Sequence, residues 1–335
     1  MKKVAILVII AVVAIAGAFI AFKPGSSGKI EKATIKIGSV SSTNHPVVKS
    51  LNEVFKRRLE ELSNGNINVQ IFDNASLGEE SAIMEQTQLG TIQMSSISEI
   101  ISGIDPKINI LNLPYLFENE AEADNVLDSE IGNEILSNLP QHKLVGLGVL
   151  ENGFRVTTNS KKPIEKLADI KGLKIRTPRT EAQINIFNAF GANVAPLNFS
   201  ELYSALQQKV VDGQENGYNT IVTQSFYEVQ PYLAVTNHMY GTFIIVANND
   251  WWTGLSQDTR DMIKTVIKET IEYERKLSRD MAEENKKVCI DHGVKISEPN
   301  LSEFAKAVEP VYENFYKQYP DYKQLVEKIL KAKKQ

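Results

Sequence analysis

Cysteine is almost missing from this chain: Cys289 is the single one in 335 residues. An internal disulfide is therefore excluded, and its helical surroundings make Cys289 a small packing residue rather than a reactive thiol. Histidine is scarce as well. His45, His142, His238 and His292 are scattered without the spacing of a metal site. There is no GxSxG, HExxH, paired CxxC, Walker loop or GxGxxG. Glu79 and Glu80 come nearest to a carboxylate pair, but adjacent residues on one helix do not face each other. No enzyme activity, metal or cofactor is expected. Basic runs of five or more are also lacking, and the formal net charge is −4, which argues against nucleic acid. Removing Lys2, Lys3 and Lys23 with residues 1–28 lowers that charge by three to −7. Any anion must then be captured by local arginines rather than by a global field.

One long apolar run is present, at the start. Lys2 and Lys3 precede Val4 to Phe22, apolar throughout apart from Gly17. This reads as an export signal, and its 19 residues are also about enough to span a bilayer. Ala14-Ile15-Ala16 offers a cleavage site; retention as an N-terminal anchor is the open alternative, since no cysteine follows to carry a lipid. Pro24 to Lys29 reads as a flexible linker. Either way the remainder is expected outside the cytoplasmic membrane.

With 42% hydrophobic residues, the rest is long enough for two ordinary α/β domains. Alternating apolar residues predict strands at 34–40, 67–72, 92–95 and 144–150. The stripe Val47, Leu51, Val54, Phe55, Leu59 and Leu62 predicts a helix over 46–62, with Pro46 in its first turn. Another helix is expected over 79–89. This alternation implies mostly parallel sheets covered by helices on both faces. Ser256 and Asp258 give an N-cap signal and Gly293 a stop, bounding a helix long enough to cross both domains. Helices at 300–317 and 321–333 follow. Two lobes are expected, the first from 30–152 and 242–281, the second from 153–241 and 282–335.

The most informative stretch runs from Gly153 to Thr220: GFRVTTNSKKPI, GLKIRTP at 172–178, and FSELYSALQQKVVDGQEN at 199–216. Arg155 and Arg176 each follow a short apolar run, and Asn216 closes another. In open α/β sheets ligands gather outside strand carboxyl ends. Two arginines there would grip a carboxylate through paired, charge-assisted hydrogen bonds.

These segments, with NHP at 44–46, LGEE…EQTQLG at 77–90, LPYLF at 113–117 and FYEVQPYLAVTNH at 226–238, strongly resemble the solute receptors of tripartite ATP-independent periplasmic (TRAP) transporters. The resemblance covers roughly residues 33–330. It implies a periplasmic-binding-protein-like α/β fold: two hinged lobes, spanned by a long helix, that close on a small organic acid. A sugar acid or a C4-dicarboxylate is implied as ligand, and integral membrane permease subunits as partners of a monomeric receptor. A ligand sensor docking on a membrane signalling receptor is the alternative.

Carried over by position, Arg176 becomes the principal carboxylate clamp and Arg155 the second cationic contact. Arg155 could instead be a hinge arginine pairing with an acid of the first lobe. Asn216 offers donors and an acceptor to solute, or caps the helix starting near Tyr218. From the first lobe, Glu80 and His45 match the family's acidic and histidine positions, His45 meeting a carboxylate if protonated. A helix-dipole role for Glu80 and a capping role for His45 compete with this. Ser98 is expected to face the cleft, and Phe199 to line its wall or pack in the core. Two departures stand out. Gly217 and Tyr218 follow QEN where the family usually has proline, which loosens the turn and brings the Tyr218 phenol towards the ligand. Ser39 replaces a histidine common among sugar-acid members.

Overall fold

The computed structural model describes residues 30–334. The expected signal or anchor at 1–28 lies outside the described residues. Eleven strands follow in chain order: β1 Ala33–Gly38, β2 Ile67–Phe72, β3 Met94–Ile97, β4 Leu144–Phe154, β5 Val156–Asn159, β6 Lys174–Thr177, β7 Asn193–Pro196, β8 Gly213–Asn216, β9 Tyr232–Ala234, β10 Tyr240–Asn248 and β11 Lys295–Ser297. They form two sheets, ordered β2-β1-β3-β10-β4 and β11-β9-β5-β8-β6-β7.

Each sheet is parallel apart from one strand. β10 runs antiparallel to β3 and β4, and β5 antiparallel to β8 and β9. These two strands are the ones that have just crossed between lobes: β4 leads into β5, and β9 returns to β10. Neither is among the predicted strands, each being buried at every position, and hydrophobic patterning carries no direction, so the expectation of a mostly parallel sheet misses them. The crossings lie side by side, with Phe154 opposite Tyr240 and Arg155 N–H donating to Met239 O at 2.9 Å.

The predicted helix at 46–62 is present as Pro46–Ser50, a π-helical stretch Leu51–Lys56, and Arg57–Leu62. Its Val47, Leu51, Phe55 and Leu59 join Met262, Ile263, Val266 and Ile267 in one core on the first sheet. Those last four belong to the long helix Gln257–Asp291, capped by Ser256, whose hydroxyl accepts from Thr259 N–H. Farther along, this helix turns to the second lobe. Asn219 Nδ2 donates to Ser278 O at 2.9 Å, Asn285 Nδ2 donates to Asn219 Oδ1 at 2.8 Å, and Cys289 is buried in a second-lobe core. One helix of mixed stripe thus serves both lobes.

The predicted helix at 300–317 is two, Leu301–Ala307 and Glu309–Gln318. Pro310 has no N–H to continue the ladder, so the first helix stops before it. Phe304, Val308 and Val311 pack in the second lobe, whereas Phe315, Leu325, Val326 and Ile329 enter the first-lobe core with Ile83 and Ile97. Beyond about residue 312 the chain therefore packs back on the first lobe, although sequence order assigns 282–335 to the second.

Candidate functional site between the lobes

The parallel strands β6, β7 and β8 end together, with Arg176 paired beside Ala195 and Gln214. Ile175 points into the second-lobe core, so the two-residue period sends Arg176 to the other face. There the lobes enclose a cavity of about 190 Å³. Its lining includes Arg155, Arg176, Asn216, Glu80, His45, Ser98 and Phe199 from the sequence expectations. It also includes Ser41, Glu79, Glu99, Asn152, Arg179, Asn198, Thr220 and Gln224.

Arg176 is 2% exposed and makes no ion pair among the described residues. Its Nε–H and one Nη2–H both donate to Leu197 O, at 3.1 and 2.8 Å. Of the five N–H donors of a guanidinium, three stay without a protein acceptor. Burial lowers its pKa to about 10, partly offset by the charge of Glu215, so it remains cationic at neutral pH.

Arg155 is the opposite case: it lines the cavity, and its alternative as a hinge arginine pairing with an acid of the first lobe is the one the fold shows. Its Nε–H and Nη2–H donate to Glu215 at 2.5 and 2.9 Å, a further Nη2–H to Glu215 O at 2.9 Å, and Nη1–H to Glu99 at 2.9 Å. Four of its five donors are consumed. Burial works against this charge, but Glu215 and Glu99 outweigh it and hold the pKa above the ordinary arginine value. Burial likewise opposes the Glu215 carboxylate, yet Arg155 brings it down to about 2. Glu99 belongs to the first lobe and Glu215 to the second, so Arg155 stands as a hinge rivet. Gly241 makes room for this network: a Cβ there would lie 2.9 Å from Glu99 Oε1.

Glu80 opens the helix Glu80–Leu89, and burial outweighs the Ser98 hydrogen bonds and the charge of Arg176, lifting its pKa to about 7. Its two oxygens accept from Ser98 N–H at 2.7 Å and Ser98 Oγ–H at 2.8 Å. His45 caps the first helix, Nδ1 accepting from Val47 N–H at 3.3 Å, while Nε2 lies 3.3 Å from Thr220 Oγ1. Burial lowers its pKa to about 4, so with these protein neighbours alone the ring is neutral at pH 7. Asn216 does not cap the following helix, whose N-cap is Gly217. Its Nδ2 donates to Gln214 at 2.7 Å instead. Phe199 lines the cavity and packs edge-on against Phe226, so both of its alternatives hold. Ser39 is fully buried, its hydroxyl accepting from Ser41 N–H and Ser96 Oγ–H.

Tyr218 is turned away. It packs with Leu202, Leu206 and Cys289 in the second-lobe core, and its hydroxyl is buried without a partner. Residues two apart on a helix point to nearly opposite sides, so in Tyr218–Thr223 it is Thr220 that meets the cleft. Gly217 does not loosen the turn either. Its φ of −71° lies within proline's range, but a Cβ would stand 2.1 Å from Asn152 O. Glycine is there to let the two lobes approach.

Asn152 escaped sequence reading because a β-bulge creates its position. The register of β4 against β10 shifts between Gly241 and Thr242, and Gly153 takes φ +76°. Bulges re-aim side chains in this way. Asn152 Oδ1 accepts from Thr220 Oγ–H at 3.1 Å, and Ser200 Oγ–H donates to Glu79, so both contacts tie one lobe to the other. The cavity is polarised: Arg176, Arg179, Asn198 and Asn216 on the second lobe face Glu79, Glu80 and Glu99 on the first. Among the described residues no group of three His, Cys, Asp or Glu could hold a metal, and no helix is long and apolar enough to cross a membrane.

Two hinged α/β lobes around a polar cavity define a bilobal solute-binding protein. The chain belongs to the family described as bacterial extracellular solute-binding protein, family 7, which matches residues 37–319. It is 33% identical to the 2,3-diketo-L-gulonate-binding periplasmic protein of Escherichia coli strain K12, over 78% of this chain and 79% of the relative. It is 32% identical to the C4-dicarboxylate-binding periplasmic protein of Vibrio cholerae, over 84% and 86%. Among solved structures, the sugar acid binding protein of Advenella mimigardefordensis in complex with galactonate superposes with a TM-score of 0.87 at 36% identity, covering 91% of this chain and 99% of that one. A TRAP periplasmic solute-binding protein of Haemophilus influenzae with bound L-gulonate gives 0.87 at 32%, covering 90% and 100%. The family is one of TRAP solute receptors rather than enzymes.

Proposed function

We propose that this chain is an extracytoplasmic receptor that binds a hydroxylated monocarboxylate, a uronate or aldonate, between its lobes and hands it to the integral membrane subunits of a TRAP permease. The carrying observation is Arg176, a buried cation with three donors free and no direct ion pair among the described residues. A buried charge is costly until partnered, and a ligand carboxylate is the partner this site lacks. Closure strengthens such a pair by excluding water.

The relatives bind both sugar acids and a C4-dicarboxylate, so the choice between them rests on the facing wall. A second ligand carboxylate on that wall would find acceptors instead of donors, Glu80 held by Ser98 and Glu99 by Arg155, whereas ligand hydroxyls can donate to their remaining lone pairs. Asn216 Oδ1 and Thr220 add polar contacts for such hydroxyls, with Phe199 forming an apolar side. The basic start and apolar run of residues 2–22 support export, cleaved or retained as an anchor, and the receptor acts as a monomer.

The test is titration calorimetry against D-galactonate, L-gulonate, D-glucuronate and succinate. A sugar acid is expected to bind at least tenfold more tightly than succinate. Preference for succinate would overturn the ligand class.

A further inference from the structure

With the first cavity taken as the seat of the ligand's carboxylate, on the reading above, we infer that a second cavity beside it, past Phe199, is a subsite for a neutral sugar ring. The chain then accepts a sugar acid that carries a further glycosyl unit at the end away from its carboxylate. This second cavity also lies between the lobes and measures about 190 Å³, the same as the first. Val40, Phe199 and Gln224 line both, so the two are neighbours with a common wall. Arg176 lines only the first. The carboxylate belongs there, and what extends past the shared residues is the rest of the molecule.

The chemistry of the lining selects the occupant. Among the described residues no charged side chain lines the second cavity, whereas the first holds Arg155, Arg176, Glu79, Glu80 and Glu99. A second carboxylate or an ammonium would enter unpartnered, at a cost that a neutral group avoids. A bare alkyl chain fits poorly too, because Asn74, Ser200 and Gln224 set amides and a hydroxyl among aromatic rings. Neither of those amides has a side-chain hydrogen-bond partner among the described residues. Phe199 and Phe226 pack edge-on with centroids 6.3 Å apart. Phe199 borders both cavities and Phe226 only the second, so an aromatic wall runs from one into the other. Tyr203 adds a third ring, pinned by its hydroxyl, which donates to Glu228 at 3.0 Å. A sugar ring offers what such a wall takes: C–H groups to pack on aromatic carbon and hydroxyls to pair with amides.

The first-lobe side is a turn in which Asn74 and Ala75 both take left-handed φ, +51° and +55°. Their N–H groups donate to Ser41 O at 2.8 Å and Ser39 O at 3.3 Å, which ties the turn to the chain on either side of Val40. Asparagine tolerates that backbone and alanine is strained in it; such strain gathers where loops hold ligands.

The experiment is titration calorimetry on the full chain, with each simple acid paired with glycosylated forms. D-gluconate is compared with lactobionate and melibionate, which carry galactose at O4 and O6. D-glucuronate is compared with cellobiouronate, which carries glucose at C1. At least one glycosylated acid is expected to bind within about tenfold of its simple partner. Tyr203 lines only the second cavity. Tyr203→Ala is therefore expected to weaken that ligand about three- to tenfold. The simple acid should stay within about twofold, which also reports an intact fold. Glycosylated acids that all bind more than about tenfold more weakly overturn the subsite and leave the receptor reading intact. So does a Tyr203→Ala variant that weakens both members of a pair alike, or neither. An unsubstituted chain that binds none of these acids takes down that reading, and this inference with it.

Discussion

Two arginines, both almost wholly removed from solvent and both on the second-lobe side of one cavity, live under opposite electrostatic conditions. At the hinge, Arg155 is saturated by Glu215 and Glu99, with His238 Nε2 3.1 Å from the same Glu215 oxygen. In the cleft, Arg176 rests on a single backbone carbonyl. Both have paid the desolvation cost of burial. Only Arg155 recovers it in ion pairs within the protein; Arg176 keeps three N–H donors without a protein acceptor.

Substitution separates the two roles. Arg155→Gln leaves two buried acids without their cation, and removal of one partner from a buried pair costs about 3–5 kcal/mol. The urea midpoint of the ligand-free protein is expected to fall accordingly; an unchanged midpoint breaks the contrast. Arg176→Ala is the mirror image. Loss of one side of a buried charge pair costs about 2–5 kcal/mol of binding, so calorimetry should show sugar-acid affinity falling by well over tenfold. Ligand-free stability should hold or rise, since burial costs this cation more than the nearby acids return: its pKa is lowered on balance. Equal affinity in the variant ends the assignment.

The pH profile sharpens the comparison on the facing wall. Glu80 titrates near 7 in the fold against 4.5 in the open chain, so between those values the native protein holds a proton the unfolded chain has released. Its contribution to stability is complete below 4.5 and lost as pH rises through about 7. His45, about 4 against 6.5, slopes the other way: its contribution is present above 6.5 and lost as pH falls through about 4. Glu80→Gln should therefore gain on the parent between mildly acidic and mildly alkaline pH, by on the order of 2–3 kcal/mol. Parallel denaturation profiles would contradict a buried, proton-holding Glu80. The smallest effect is expected at Tyr218, whose buried hydroxyl has no partner. Tyr218→Phe should leave sugar-acid binding unchanged and shift stability by less than about 1 kcal/mol, upward. A loss of affinity would put the phenol back in the cleft.

How much was legible in the sequence follows the range of the interactions involved. The helix at 46–62, the strand at 67–72 and the long helix from Gln257 to Asp291 rest on local periodicity and caps, and they stand within a residue or two of their predicted ends. Arg176 was legible for a similar reason, since strand alternation sends it to the face opposite Ile175. Arg155 follows its apolar run in the same way, yet its partners lie 56 and 60 residues away, and nothing local distinguishes the two. Asn152 depends on a bulge against β10, and the Tyr218 side on the phase of a two-turn helix.

By itself the sequence determined two α/β lobes and a cation at the end of β6, because short-range patterning fixes elements and the faces they present. Only the tertiary structure decided which guanidinium is left hungry. That depends on where distant carboxylates come to rest once the strands cross between lobes, a matter of three-dimensional neighbours on which spacing along the chain is silent.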